Sequence, residues 1–360
     1  MWKMKLTAAL ALAMALTVPP SISQAADGWP LQVKDATNGA DAARVQAQYV
    51  PLEKADKPYK ICALFPHLKD SIWLAVNYGL VEEAKRLGVG MALYEAGGYD
   101  NLPRQLAQFD DCMAGKFDAI VVGAISEGGL AQKLKQAAEA GKPVIAVLNQ
   151  IDKAPVAGRV YPYIPDMTQA SAAFLTGQLT GKEGRVVTFP GPAGSGWAEL
   201  FNDSFKHDVA QQGNISVIGE RFGDSGVSAQ LRLIQDALQS YPTLNAVYGG
   251  APAIEAAVGT LAASGRQDVV LVPAYENSAV IMMTKNEDLP GFITQYPVAQ
   301  GRIAMDMAIR AIEKTLTMTY VNPIPKSIST KDLEGLDTSI GISAPKGFRA
   351  TYSVESASKP

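Results

Sequence analysis

Two histidines and two cysteines stand in a chain of 360 residues, so the side chains from which most active sites are built are few. His67 and His207 lie far apart in sequence, with no Cys, Asp or Glu cluster at ligand spacing around either, and no metal site is expected. His67 falls in a loop after a strand, where a solvated side chain is the simpler reading and a ligand donor the alternative. Gly191-Pro192-Ala193-Gly194-Ser195-Gly196 has the glycine spacing of a phosphate-binding loop. Trp197-Ala198 follows where that chemistry requires Lys and Ser or Thr, so the run reads as a glycine turn opening a helix. No Gly-x-Ser-x-Gly nucleophile elbow occurs. Glu82-Glu83 followed by Lys85-Arg86 reads as a solvated helix face. Ligand binding without catalysis, cofactor or metal is the expectation.

The elements that would position a ligand show in the alternation of apolar runs. Residues 59–65, 90–95, 119–122 and 144–148 read as strands, with helices at 73–87, from about 102, and at 130–140. Gly88 and Gly141-Lys142-Pro143 stop the first and last of these helices. Strands separated by such helices imply right-handed βαβ units on a parallel sheet, and the unbroken apolar runs suit strands covered on both faces. The rhythm repeats, with strands at 185–189, 216–220, 246–248, 269–273 and 291–295 and helices such as 197–212, 228–241 and 298–316. The expected fold class is α/β: two doubly wound parallel-sheet lobes joined by a hinge. The proline-dotted segment from Val321 is expected to cross back over the body.

Charge and the N-terminus narrow the setting. Lys and Arg number 32 against 35 Asp and Glu, a net charge of −3, so no basic footprint for nucleic acid exists. Lys3 and Lys5, an apolar stretch at 6–18 and small residues up to Ala25 have the form of a secretory signal peptide over residues 1–25. The stretch is shorter than the roughly 20 residues a membrane span needs, so no membrane insertion is expected after cleavage. In an exported chain Cys62 and Cys112 either form one disulfide or remain two buried thiols, structural in both cases.

Gln105, Gln108, Phe117-Asp118-Ala119-Ile120-Val121-Val122-Gly123, Gly129-Leu130 and Gly141-Lys142-Pro143-Val144-Ile145 through Asn149 resemble the type I periplasmic binding proteins, the ribose-binding, LacI-like family. The resemblance spans residues 59–317. A narrower set is similar to the branch of that family that senses trimethylamine N-oxide (TMAO). It comprises Lys60-Ile61-Cys62-Ala63-Leu64-Phe65-Pro66, Leu68-Lys69-Asp70-Ser71, Trp73, Asn77-Tyr78-Gly79 and Glu95-Ala96-Gly97-Gly98-Tyr99. Pro190-Gly191-Pro192 and Pro345-Lys346-Gly347-Phe348-Arg349 extend it loosely into the second lobe. The resemblance implies a periplasmic protein whose lobes, 58–152 plus 296–320 and 153–295 plus 321–350, close over a small ligand. It implies as partner the periplasmic domain of a sensor histidine kinase. The alternative is a receptor that hands a sugar or other small polar solute to an ABC transporter.

TMAO carries a methylated, formally cationic nitrogen and one acceptor oxygen. Aromatic faces hold such cations, each ring contributing about 0.5–2 kcal/mol, and a carboxylate adds to the attraction. The candidates stand at strand-to-helix turns: Asp70 and Trp73 after the first strand, Tyr99 after the second, Tyr163 (with Tyr161) at the first crossover, Trp197 at a helix start, and Tyr275 after a second-lobe strand. Each has a structural alternative. Asp70-Ser71 is also N-capping chemistry, Trp73 also suits the core, and Trp197 also suits surface packing. The family carries Tyr before the helix-1 Trp, where this chain has Ile72.

Overall fold

The computed structural model describes residues 29–39 and 43–357; the expected signal peptide lies outside them. An antiparallel pair, β1 (Leu31–Asp35) and β2 (Val45–Tyr49), precedes the first βαβ series. That series is β3 (Lys60–Phe65), α1 (Ser71–Leu87), β4 (Gly90–Glu95), α2 (Leu102–Ala114), β5 (Ala119–Val122), α3 (Glu127–Glu139), β6 (Val144–Val147) and β7 (Gly158–Val160). The second lobe runs through α4 (Ile164–Leu179), β8 (Gly184–Phe189), α5 (Trp197–Ala210), β9 (Ile215–Glu220), α6 (Val227–Ser240), β10 (Ala246–Gly249), α7 (Ala251–Ala263), β11 (Val270–Pro273), α8 (Ser278–Lys285) and β12 (Gly291–Thr294). The chain then returns with α9 (Pro297–Ile312) and β13 (Tyr320–Pro323), followed by β14 (Lys326–Ser329), α10 (Thr330–Leu333) and β15 (Ser353–Val354).

One nine-stranded sheet has the order β15-β4-β3-β5-β6-β7-β13-β1-β2, parallel from β4 to β13 and antiparallel at both edges. The second lobe holds the parallel sheet β11-β10-β8-β9 and the antiparallel pair β12-β14. Strands β5 and β6 are buried along their whole length, as doubly covered strands require.

These pairings move the expected lobe boundaries. β7 and β13 lie in the first sheet, so the first crossover falls after Val160 and residues 321–323 belong to the first lobe. β1, β2 and β15 also join that sheet, although they lie outside both ranges expected for its lobe. The physical reason is edge pairing: short remote segments satisfy backbone groups that open sheet edges would leave unpaired.

Helix α1 starts where Asp70 accepts a hydrogen bond from the Ile72 N–H and ends at Gly88, whose φ of 68° suits glycine. Its buried face, including Val76, Leu80 and Ala84, meets α9, where Gly79 and Gly301 let the two helix backbones touch. Glu83 on this helix is fully buried, not solvated as its neighbours suggest, because Trp29 and Arg302 cover it from elsewhere in the fold. Cys62 on β3 and Cys112 on α2 form a disulfide across 50 residues. Closing a loop of that length restricts the unfolded chain by about 4 kcal/mol.

Candidate functional site

The carboxyl ends of the parallel strands converge on a cavity between the lobes, the place where open α/β sheets bind ligands. Its lining follows the strands in turn: His67, Asp70, Ile72 and Trp73 after β3, Tyr99 after β4, Leu148 and Asn149 after β6, and Pro162 and Ile164 after β7. From the second lobe come Trp197 and Phe201 after β8, Ser225 after β9, Tyr275 after β11 and Gln295 after β12. The cavity volume is about 30 Å³. A single water needs roughly 10–15 Å³, so the space suits a solute of a few heavy atoms.

Asp70 caps α1 and is 3% exposed. Its Oδ1 accepts from Ile72 N–H at 3.1 Å and from Asn277 Nδ2 at 3.0 Å, and its Oδ2 accepts from the Tyr275 hydroxyl at 3.0 Å. None of the ion pairs among the described residues includes Asp70. Burial pushes its carboxyl above the usual range, while these neutral donors pull it back. Half-buried Glu255 on α7 is also raised, first by burial and then by the charge of Asp70. Asp70 thus has no cationic partner among the described residues, and Lys69, whose charge reaches His67, is paired with Asp224 at 3.6 Å.

Aromatic rings close around this carboxylate. Trp73, 2% exposed, packs on Phe65 with ring centroids 4.7 Å apart. Trp197 lies 5.9 Å from Tyr99 and 6.2 Å from Tyr275, and Phe201, one turn further along α5, lies 6.4 Å from Tyr275. Two glycines make room for the indoles: a Cβ on Gly123 would lie 2.2 Å from Trp73 Cη2, and one on Gly191 2.6 Å from Trp197 Cη2. The Tyr99 hydroxyl accepts from Asn149 Nδ2 at 2.8 Å, and burial holds it protonated. Trp197 Nε1–H leans toward that hydroxyl without reaching hydrogen-bond geometry. Beyond Tyr275, buried Glu276 accepts the N–H groups of Gln295 and Tyr296, with burial pushing its carboxyl up to about 7, and so fixes the segment that carries Gln295.

His67 is 1% exposed, and both ring nitrogens lack a partner. Burial lowers it to about 4, so the imidazole is neutral at physiological pH. This corrects the reading of a solvated loop side chain: Tyr99, 5.3 Å away edge-on, and the second lobe cover it.

Of the six side chains expected at the site, Asp70, Trp73, Tyr99, Trp197 and Tyr275 line this cavity. Tyr163 does not. At the N-cap of α4, its ring lies beneath Arg44 at 3.7 Å and near Lys34, while Pro162 and Ile164 on either side line the cavity. Tyr161 is buried in the first lobe with its hydroxyl on Asp152 at 2.6 Å. Asn149, Phe201, Ser225 and Gln295 were not anticipated, although each follows a strand end by the rule that located Tyr99 and Tyr275. Among the described residues no group of His, Cys, Asp and Glu could hold a metal ion, and no helix is long and apolar enough to cross a membrane.

This arrangement, two α/β lobes with a small polar-aromatic cavity between them, defines a binding protein. The family model for the periplasmic binding protein domain matches residues 61–315, and the chain belongs to that family, with its type I fold. Within it the chain is similar to periplasmic protein TorT of Escherichia coli K12, 32% identical over 304 residues covering 83% of this chain and 86% of that one. Among solved structures, an ABC transporter solute-binding protein from Bradyrhizobium sp. BTAi1 with bound bis-tris superposes with a TM-score of 0.77 at 36% identity, over 90% of this chain and 98% of that one. TorT in complex with the TorS sensor domain in the presence of TMAO superposes with a TM-score of 0.73 at 27% identity, over 82% and 99%.

Proposed function

We propose that this chain is a periplasmic sensor of a small methylated ammonium solute, TMAO or a close analogue. In this reading, closure of the lobes over the ligand is recognised by the periplasmic domain of a sensor histidine kinase. The observation that carries it is Asp70, a buried carboxylate held by neutral donors and walled by Trp73, Tyr99, Trp197 and Tyr275. A desolvated charge without a counter-ion favours a cation, and ring faces hold a methylated one. The small cavity favours a compact solute over the larger ring of a sugar. The solved TorT–TorS complex with TMAO supports both ligand class and partner. Asp70 and Ser71 in the first lobe accept hydrogen bonds from Tyr275, Asn277 and Ser278 in the second, so ligand occupancy and lobe contact converge on the same residues.

Calorimetry of the purified protein against TMAO, glycine betaine, choline and ribose tests the reading. Heat is expected with the methylated ammonium compounds and not with ribose, and Trp73→Ala is expected to lose at least 30-fold in affinity with an unchanged far-UV spectrum. Absence of heat and of thermal shift at millimolar TMAO rejects it. The Bradyrhizobium relative favours a second reading, a solute receptor of an ABC transporter. Co-elution of the liganded protein with the kinase's periplasmic domain distinguishes the two, since a transport receptor shows none.

A further inference from the structure

Three buried polar side chains on the cavity wall have no hydrogen-bond partner within the protein: Trp197, whose Nε1–H leans toward the Tyr99 hydroxyl, and His67 and Ser225, which have no polar group to lean on. His67, between β3 and α1, leaves Nδ1 and Nε2 unpaired at 1% exposure. Ser225, between β9 and α6, leaves its Oγ unpaired at 5% exposure. They come from opposite lobes and face the same space. Native folds pair nearly all such groups, so each exception calls for an explanation. Neither side chain holds its own loop in place, because neighbours do so: Asp70 caps α1, and Asp224 caps the turn before α6 by accepting from the Gly226 N–H at 2.8 Å. A neutral imidazole offers one N–H donor, and a hydroxyl rotates to offer another. Asp70 supplies negative charge and already takes three donors, so it suits the cationic end of a ligand and repels an acceptor oxygen.

We propose that His67 and Ser225 form a two-lobe hydrogen-bonding subsite that receives an acceptor oxygen of the ligand. The ligand class is then a compact methylated ammonium bearing one acceptor group, an N-oxide or a short carboxylate, as opposed to a bare quaternary ammonium. This rests on the reading of the cavity as an ammonium site and adds what it selects for. A site built to hydrogen-bond an oxygen rejects the isostere that lacks it far more strongly than an apolar pocket rejects an extra methyl. Because the donors sit on different lobes, the oxygen also bridges them.

Tetramethylammonium replaces the oxygen of TMAO by a methyl group and is the discriminating probe. Calorimetry of the wild-type chain is expected to show at least 30-fold tighter binding of TMAO. His67→Ala and Ser225→Ala are each expected to weaken TMAO about tenfold while tetramethylammonium stays within twofold, and His67→Gln, which restores a donor, recovers part of the loss. Ser225→Ala removes a single oxygen atom and keeps the test decisive should His67→Ala fail to fold. Equal affinity of the wild type for both probes, or a preference unchanged in either alanine variant that folds, overturns the subsite. If TMAO then still binds and Trp73→Ala still weakens it at least 30-fold, the ammonium reading survives alone. No heat with either probe overturns both.

Discussion

Carboxylates are buried among aromatic rings at two places in the first lobe, and the contrast separates a scaffold from a site. At the α1–α9 seam Glu83 and Asp306 are fully buried. Glu83 accepts from Trp29 Nε1 at 2.6 Å and pairs with Arg86 and Arg302. Asp306 accepts from the Tyr49 hydroxyl at 2.5 Å and pairs with Arg310 at 2.6 Å, while the Trp29 and Tyr49 rings stack 6.0 Å apart. At Asp70 the burial is similar and the rings are of the same kind, yet every donor is neutral and space remains beside it. A ring with a carboxylate is therefore no mark of a binding site. Under the proposed reading, what sets the site apart is that Asp70 has no cationic partner, whereas Glu83 and Asp306 each pair with arginine.

The contrast can be broken by neutralising each place in turn. Glu83→Gln leaves Arg302 and Arg86 without their carboxylate and is expected to cost about 3–5 kcal/mol of stability by urea denaturation. A cost under about 1 kcal/mol would erase the distinction. Asp70→Asn keeps the N-cap oxygen, removes the desolvated charge and sets an NH2 against the Tyr275 hydroxyl, which can turn to accept from it. Stability should stay within about 1 kcal/mol while TMAO affinity falls about 30-fold or more, as loss of a buried charge partner implies. Comparable unfolding of both variants would place Asp70 in the scaffold class.

The pH dependence sharpens the same point. Burial raises the Asp70 carboxyl above its ordinary range, so it takes up a proton while the pH is still above that range. Affinity for a cation is full above the raised value and declines as the pH falls through it, and Asp70→Asn should flatten this part of the profile. Glu255, raised by burial and by Asp70, contributes in the same direction. The smallest effect belongs to Tyr163, whose ring serves Arg44 outside the cavity: Tyr163→Ala should leave TMAO affinity within twofold.

Much of the fold was legible because its signals are local. β5 and β6 are continuous apolar runs, and α1 carries its stop at Gly88. The turns holding Asp70, Trp73, Tyr99 and Tyr275 could be found because doubly wound sheets present their strand ends to one cleft. What escaped depends on partners remote in sequence. β7, β13 and β15 have three, four and two residues, too few for a periodicity, and exist as strands only through their neighbours. Glu83 looked solvated beside Glu82, Lys85 and Arg86 until Trp29, 54 residues away, was folded onto it. Tyr163 looked like a cleft aromatic until Arg44 claimed its ring.

By itself the sequence determined the alternating elements, the two-lobed class, the poverty of reactive groups and most of the cavity's aromatic wall, because each is written in residue type and spacing along one element. Whether Cys62 meets Cys112, whether a carboxylate finds a guanidinium, and whether His67 finds a partner were decided only by the tertiary structure. Charge balance and hydrogen-bond satisfaction are sums over neighbours in space, and those neighbours are supplied by chain segments that local pattern cannot see.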